Sequence, residues 1–156
     1  IWYSYYRQHP LVPSGENTMA ELTRLSITIE KSLLKRLSKL MSGSKWRNRS
    51  EFIRDLIRKR IVEDEWKQDE EAIGTITLLY NHETRLLSAK LTSLQHHHHE
   101  LVLATTHVHL DRVLCAEMIM VKGKASHIEE MTELLRQQKG VLHAALSMST
   151  TGKHLV

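Results

Sequence analysis

Leu22-Thr23-Arg24-Leu25-Ser26-Ile27-Thr28-Ile29 alternates polar and apolar side chains from Arg24 to Ile29. A period of two is the signature of a strand with one buried face and one open face. Leu25, Ile27 and Ile29 share the first face; Arg24, Ser26 and Thr28 share the second. Downstream, Leu33, Leu34, Leu37, Leu40 and Met41 recur at helical spacing, with Gly43 as a C-terminal stop. A second helix is expected from Asn48, with Glu51 in capping-box position and Phe52, Ile53, Leu56, Ile57 and Ile61 as its apolar face. One strand followed by two helices cannot satisfy the strand's backbone groups within a single chain. The same strand of a second copy would do so, making a two-stranded antiparallel ribbon and an obligate dimer.

Such a ribbon fits the major groove of B-DNA. Arg24, Ser26 and Thr28 suit base edges, and the N–H groups at Asn48–Ser50, beside Arg49, suit a phosphate. The charge distribution agrees. Residues 19–62 hold twelve Lys/Arg against four acids, a balance of +8, and residues 63–71 reverse it to −5. That concentration of base within an overall +4 points to a polyanion partner, and the acidic stretch reads as a linker.

The chain has 156 residues, 41% hydrophobic and 26% charged, a globular composition for one ordinary domain or two small ones. No apolar run reaches the length of a membrane span. The lone Cys115 excludes an intrachain disulfide framework and fits a reducing compartment, hence the cytoplasm. Residues 1–18 carry both prolines and no period, and read as a leader outside the folded part.

From Ala72 the order is strand (73–80), helix (83–95), strand (101–109), strand (112–121), helix (126–139) and strand (141–149). This β-α-β-β-α-β series predicts an antiparallel ferredoxin-like sheet with two helices on one face, so the whole chain is α+β. The divisions expected are a leader 1–18, a DNA-binding domain 19–62, a linker 63–71 and a metal-binding domain 72–151.

The chemistry gathers on the middle hairpin. His107 and His109 share a strand face, and a tight turn brings Cys115 back alongside them. His82, His127 and His143 read as structural histidines. The run His96–His99 turns about 100° per helical residue, so only one or two of its imidazoles can reach a common site. Three imidazoles and a thiolate suit tetrahedral Zn(II) or square-planar Ni(II) or Cu(II), and spacing does not choose between them.

The β-α-α pattern with Asn48-Arg49-Ser50-Glu51 resembles the ribbon-helix-helix DNA-binding family. Together with Gln95-His96-His97-His98-His99, Thr106-His107-Val108-His109 and Cys115, it resembles the nickel-responsive transcriptional regulators, the NikR family, over about Leu22 to Ser149. The resemblance implies one square-planar Ni(II) per subunit, held by His107, His109 and Cys115 with His96 of another subunit. It implies a homotetramer, a dimer of dimers with ACT-like regulatory domains, on a double-stranded DNA operator with two half-sites. Glu117 would stand behind the ligands and orient an imidazole. Arg24, Ser26 and Thr28 match base-reading positions. Arg85 matches a position facing the DNA backbone, although its neighbour Thr84 is not basic. Glu51 and Asp55, with the carbonyls of Arg136, Gln138 and Val141, match a second site for K+ or another hard cation; the alternative for the two carboxylates is an ordinary helix-surface pair.

The function expected is a nickel-dependent repressor of nickel uptake genes. Competing classes are a ribbon-helix-helix regulator answering to Zn, Co or Cu, a constitutive antitoxin-like DNA binder, an amino-acid sensor and a metalloenzyme. Four protein ligands leave no open position for a substrate, which argues against an enzyme.

Overall fold

The computed structural model describes residues 23–43 and 48–155. The chain divides into two compact units between its first two helices. The first unit contains α1 (Lys31–Ser42), preceded by residues 23–30. The leader 1–18 and Leu22 lie outside the described residues.

Residues 23–30 form neither helix nor strand, which departs from the expected strand. Leu25 is 77% exposed and Ile27 59%. The alternation specifies a ribbon half, and a half-ribbon has no ladder partner among the described residues of its own chain. At Gly43 the helix ends where expected, but with φ −86°, so the stop does not use glycine's left-handed freedom.

The second unit begins with α2 (Arg49–Lys67), capped by the Asn48 side chain, which accepts from Ser50 N at 2.9 Å. The acidic stretch expected as a linker is largely helix. Residues 63–67 complete α2, and β1 (Glu71–Asn81) starts four residues later. The short turn between them is tied down. Asp69 adopts φ 54°, its Oδ1 accepts from Ser126 N at 2.7 Å, and Ala125 N donates to Glu70 O at 3.2 Å. The Ser126 N–H lowers the Asp69 carboxyl below the usual range, with Lys124 and His127 adding to the effect. Trp66 fastens the end of α2 to the sheet, its Nε1 donating to Ser149 O at 2.8 Å. Its ring lies over Gly74, where a Cβ would meet Trp66 and Leu146 at 3.4 and 3.0 Å.

After β1 come α3 (Leu87–His97), β2 (Val102–His109), β3 (Leu114–Lys124), α4 (Ala125–Arg136) and β4 (Val141–Thr150). The sheet is antiparallel in the order β2-β3-β1-β4, as the β-α-β-β-α-β reading requires. Ala72, Ile76, Leu78 and Tyr80 on β1 and Ile119 and Val121 on β3 form the buried face. Against it pack Leu87 and Leu91 of α3 and Ile128, Met131 and Leu135 of α4, each at helical spacing. α3 starts four residues later than expected. Asn81 Oδ1 accepts from Glu83 N at 2.8 Å and Leu86 sits at φ 63°, so residues 82–86 are a turn. α4 also stops short of Lys139. Gly140 reverses the chain at φ 104°, with Thr84 and Leu87 too close for a Cβ, and no other residue fits there cheaply.

Candidate metal centre

The β2–β3 hairpin positions the candidate ligands. Asp111 accepts from Val113 N and Leu114 N at 2.7 and 2.8 Å, closing the turn so that His109 pairs with Cys115 and His107 with Glu117. These two backbone bonds hold the Asp111 carboxyl below its usual range. Cys115 is fully buried, and His109 Nδ1 stands 3.1 Å from its sulfur. Burial pushes the Cys115 thiol up, with the charges of Asp111 and Glu117 adding to the effect.

His82 joins this pair. Its Nδ1 lies 3.4 Å from the Cys115 sulfur, and the donor atoms of His82, His109 and Cys115 all fall within 4.8 Å of one another. The sequence reading of His82 as merely structural missed it. A legible signal existed, because Leu78, Tyr80 and His82 continue one strand face. The pairing that puts Tyr80 beside Cys115 belongs to the fold.

His107 stands beside the trio, its ring 4.9 Å from that of His109, but is not one of the three converging donors. Its Nδ1 meets the Tyr80 hydroxyl at 3.1 Å, and that hydroxyl donates to Glu117 Oε2 at 3.1 Å. Burial and the Glu117 charge push the Tyr80 hydroxyl up to about 12, so it keeps its proton at neutral pH. Because that proton points to Glu117, His107 Nδ1 must be the donor to the tyrosine oxygen. Nε2 is then left with the free lone pair. Glu117 acts on His107 mainly through Tyr80, its own oxygen being 3.9 Å from the imidazole. On its other side, Gln95 Nε2 donates to Glu117 Oε1 at 2.5 Å, and Thr105 Oγ1 donates to Gln95 Oε1 at 2.8 Å. No residue spacing marks Tyr80 or Thr105, and Gln95 enters the sequence reading only as the first residue of the Gln95–His99 motif.

His96 is exposed on α3, one residue beyond that network, and the structure does not bring it to Cys115 within the chain. Elsewhere in the run, His97 Nδ1 meets Ser93 O at 2.6 Å, His98 caps the helix and His99 lies 3.6 Å from Glu100. One thiolate with several imidazoles is a donor set that Ni(II) accepts, so the residues fit such an ion.

The expected DNA-contacting residues are surface groups. Arg24, Ser26 and Thr28 are exposed in residues 23–30, Arg49 is exposed at the start of α2, and Arg85 is exposed in the turn before α3. The expected hard-cation carboxylates are otherwise engaged. Glu51 pairs with Arg54 and, at 3.8 Å, with Arg58; Asp55 pairs with Lys59 at 3.1 Å. Arg136 and Gln138 direct their side chains to Ala144 O and Leu134 O, and Val141 N bonds Gln138 O at 3.0 Å.

A basic segment with two helices, followed by a ferredoxin-like domain with a cysteine–histidine cluster, is the layout of a metal-responsive DNA-binding regulator. Residues 23–64 match the ribbon-helix-helix protein family of copG type, and residues 73–149 match the NikR C terminal nickel binding domain. The chain is 46% identical over 138 residues to a protein of Geotalea uraniireducens (strain Rf4) named a nickel-responsive regulator, covering 88% of this chain and 99% of that one. Proteins of the same name in Caldanaerobacter subterraneus subsp. tengcongensis and Geobacter metallireducens are each 44% identical, over 88% and 99% of their lengths. The chain belongs to the nickel-responsive regulator family. Among the described residues no helix is long and apolar enough to cross a membrane.

Proposed function

We propose that this protein is a nickel-dependent repressor that binds operator DNA when Ni(II) is held by Cys115, His109, His107 and a partner subunit's imidazole. The carrying observation is the His109–Cys115 pair, 3.1 Å apart across a closed hairpin, beside a His107 whose Nδ1 is committed to Tyr80. Bound nickel would supply a Lewis-acid tether between subunits. The chain's own residues supply the rest: Glu117 holds Tyr80, Tyr80 holds His107, and Gln95 joins the base of the His96 helix to the same carboxylate.

His96 is the proposed partner ligand, because it is exposed and follows directly on Gln95. Its use would require two regulatory domains to meet, giving the dimer of dimers and one nickel per subunit. In the ribbon dimer, Leu25, Ile27 and Ile29 would be buried and Arg24, Ser26 and Thr28 would enter the major groove, with Asn48, Arg49 and Arg85 near phosphates. The exposed Leu25 and Ile27 support this reading, since a monomer has no use for them. A K+ or other hard cation at Glu51, Asp55, Arg136, Gln138 and Val141 would share the two carboxylates with Arg54, Arg58 and Lys59, and the proposed function uses none there.

Selection from a random duplex library tests the proposal. With nickel, the retained pool should converge on a sequence with two half-sites; with chelator it should not. Equal convergence in both would identify a constitutive DNA binder. Linkage adds a second readout: a coupling of ~1–3 kcal/mol means that operator DNA tightens nickel binding roughly 5–150-fold.

A further inference from the structure

Helix α2 has the proposed phosphate contacts at one end and the regulatory sheet at the other. Asn48 caps its start, Arg49 is its first residue and Trp66 its last but one. At 1.5 Å per residue the helix is about 27 Å long. A lever of that length magnifies any play at its root. A swing of about 10° would move its first turn by roughly 4–5 Å, more than the ~3.4 Å rise of a base pair. Hydrogen bonds to phosphates do not tolerate such a displacement. The hold on the root therefore decides whether two such helices can meet two half-sites at once.

The turn after α2 is tied to α4 through Asp69 and Glu70, but the helix itself is pinned by Trp66. That side chain is buried in the core, its Nε1 donates to Ser149 O of β4 at 2.8 Å, and its ring lies over Gly74 of β1. One residue thus joins α2 to two strands. Val62, a turn earlier, adds a half-buried contact. The neighbouring Glu65 works the other way. It is 5% exposed, and neither carboxylate oxygen has a hydrogen-bond partner among the described residues. Burying such a group costs free energy, so Trp66 holds the helix end against Glu65.

We propose that Trp66 is the positioning residue that locks α2 to the regulatory sheet, so that bound nickel, in placing the sheets, also places the DNA-contacting ends of α2. The proposal rests on the reading of this protein as a nickel-dependent binder of two half-sites.

Duplexes with one and with two half-sites, taken from the nickel-selected pool and titrated with the full-length protein, test this. Trp66→Ala should keep the wild-type nickel affinity without DNA and the wild-type affinity for a single half-site. It should lose most of the roughly 5–150-fold tightening that nickel gives on the two-half-site duplex. Trp66→Phe, which keeps a ring but no N–H, should fall between, and adding Glu65→Leu to it should restore most of the loss. Undiminished tightening in Trp66→Ala overturns the proposal, as does a Glu65→Leu change that restores nothing. Loss of nickel binding and single-half-site binding in both Trp66 variants also overturns it, since Trp66 would then serve the fold. A wild type whose duplex binding ignores nickel would sink the proposed function, and amide exchange would still decide this one. Residues 62–70 should exchange faster in Trp66→Ala while residues 115–121 stay protected, and unchanged exchange at 62–70 overturns the lock.

Discussion

The Tyr80 hydroxyl donates to Glu117 at 3.1 Å across the β1–β3 pair, and so presents its oxygen, rather than its proton, to His107. A buried carboxylate on the neighbouring strand thereby sets the imidazole's tautomer through a tyrosine one strand further on. Tyr80→Phe should remove that control while keeping the ring's packing. Nickel affinity should fall by roughly 10–100-fold, the range found when a ligand's outer hydrogen bond is removed. Equilibrium nickel titration checks this, and an unchanged affinity would show that His107 needs no such support.

Nickel binding should weaken as pH falls. The proposed ligand is the Cys115 thiolate, and burial with the nearby carboxylates keeps its proton on to higher pH than an ordinary thiol. Below that raised value each bound nickel must expel one proton, so affinity should change about ten-fold per pH unit from this group alone. The apoprotein shows the other side of the linkage. Stability from the buried neutral thiol is fully present below the ordinary thiol range, about 8.5, and is lost as pH rises through the raised folded value. Cys115→Ala should flatten both profiles.

Acid should loosen two turns, of which the Asp111 turn closes the hairpin of the candidate site. The Asp69 and Asp111 carboxyls are both held low by backbone N–H groups, of Ser126 and of Val113 and Leu114. Their contribution is present above the unfolded carboxylate range, about 3.9, and disappears as pH falls through the lower folded values. Asp111→Ala should lower the melting temperature at neutral pH and lose most of that penalty in acid. Thermal melts across pH would show it, and a pH-independent penalty would mean that the carboxylate charge is irrelevant to the turn.

Replacing Arg24 by Ala should cost ~1–3 kcal/mol of operator binding and relax preference at one position of each half-site. Lys35→Ala should weaken all duplexes alike, if at all. Retained operator preference with lost non-specific binding in Arg24→Ala would place the ribbon outside the groove.

Much of the architecture was legible because periodicity reports burial. Ile76, Leu78 and Tyr80 alternate on β1, and Ile128, Met131 and Leu135 recur on α4, and both sets face the core. Element ends were less legible. Residues 63–67 read as a charged linker by composition, yet they are helical because Trp66, inside that acidic run, anchors on the sheet. The strand expected at residues 22–29 shows the opposite limit: it alternates from Arg24 to Ile29, but a ladder needs a second strand.

At the metal centre, residue types and spacing by themselves determined that a thiolate and strand-borne imidazoles would meet. His-x-His on one strand and a cysteine across a short turn leave few other outcomes. Only the tertiary structure decided that His82, 33 residues before Cys115, reaches the same sulfur, and that His107 turns instead to Tyr80. Local sequence carries the period of a strand, but not which strand lies beside it. Pairing of β1 with β3 sets Tyr80 opposite Cys115, and burial of that pair makes every remaining donor and acceptor choose a partner.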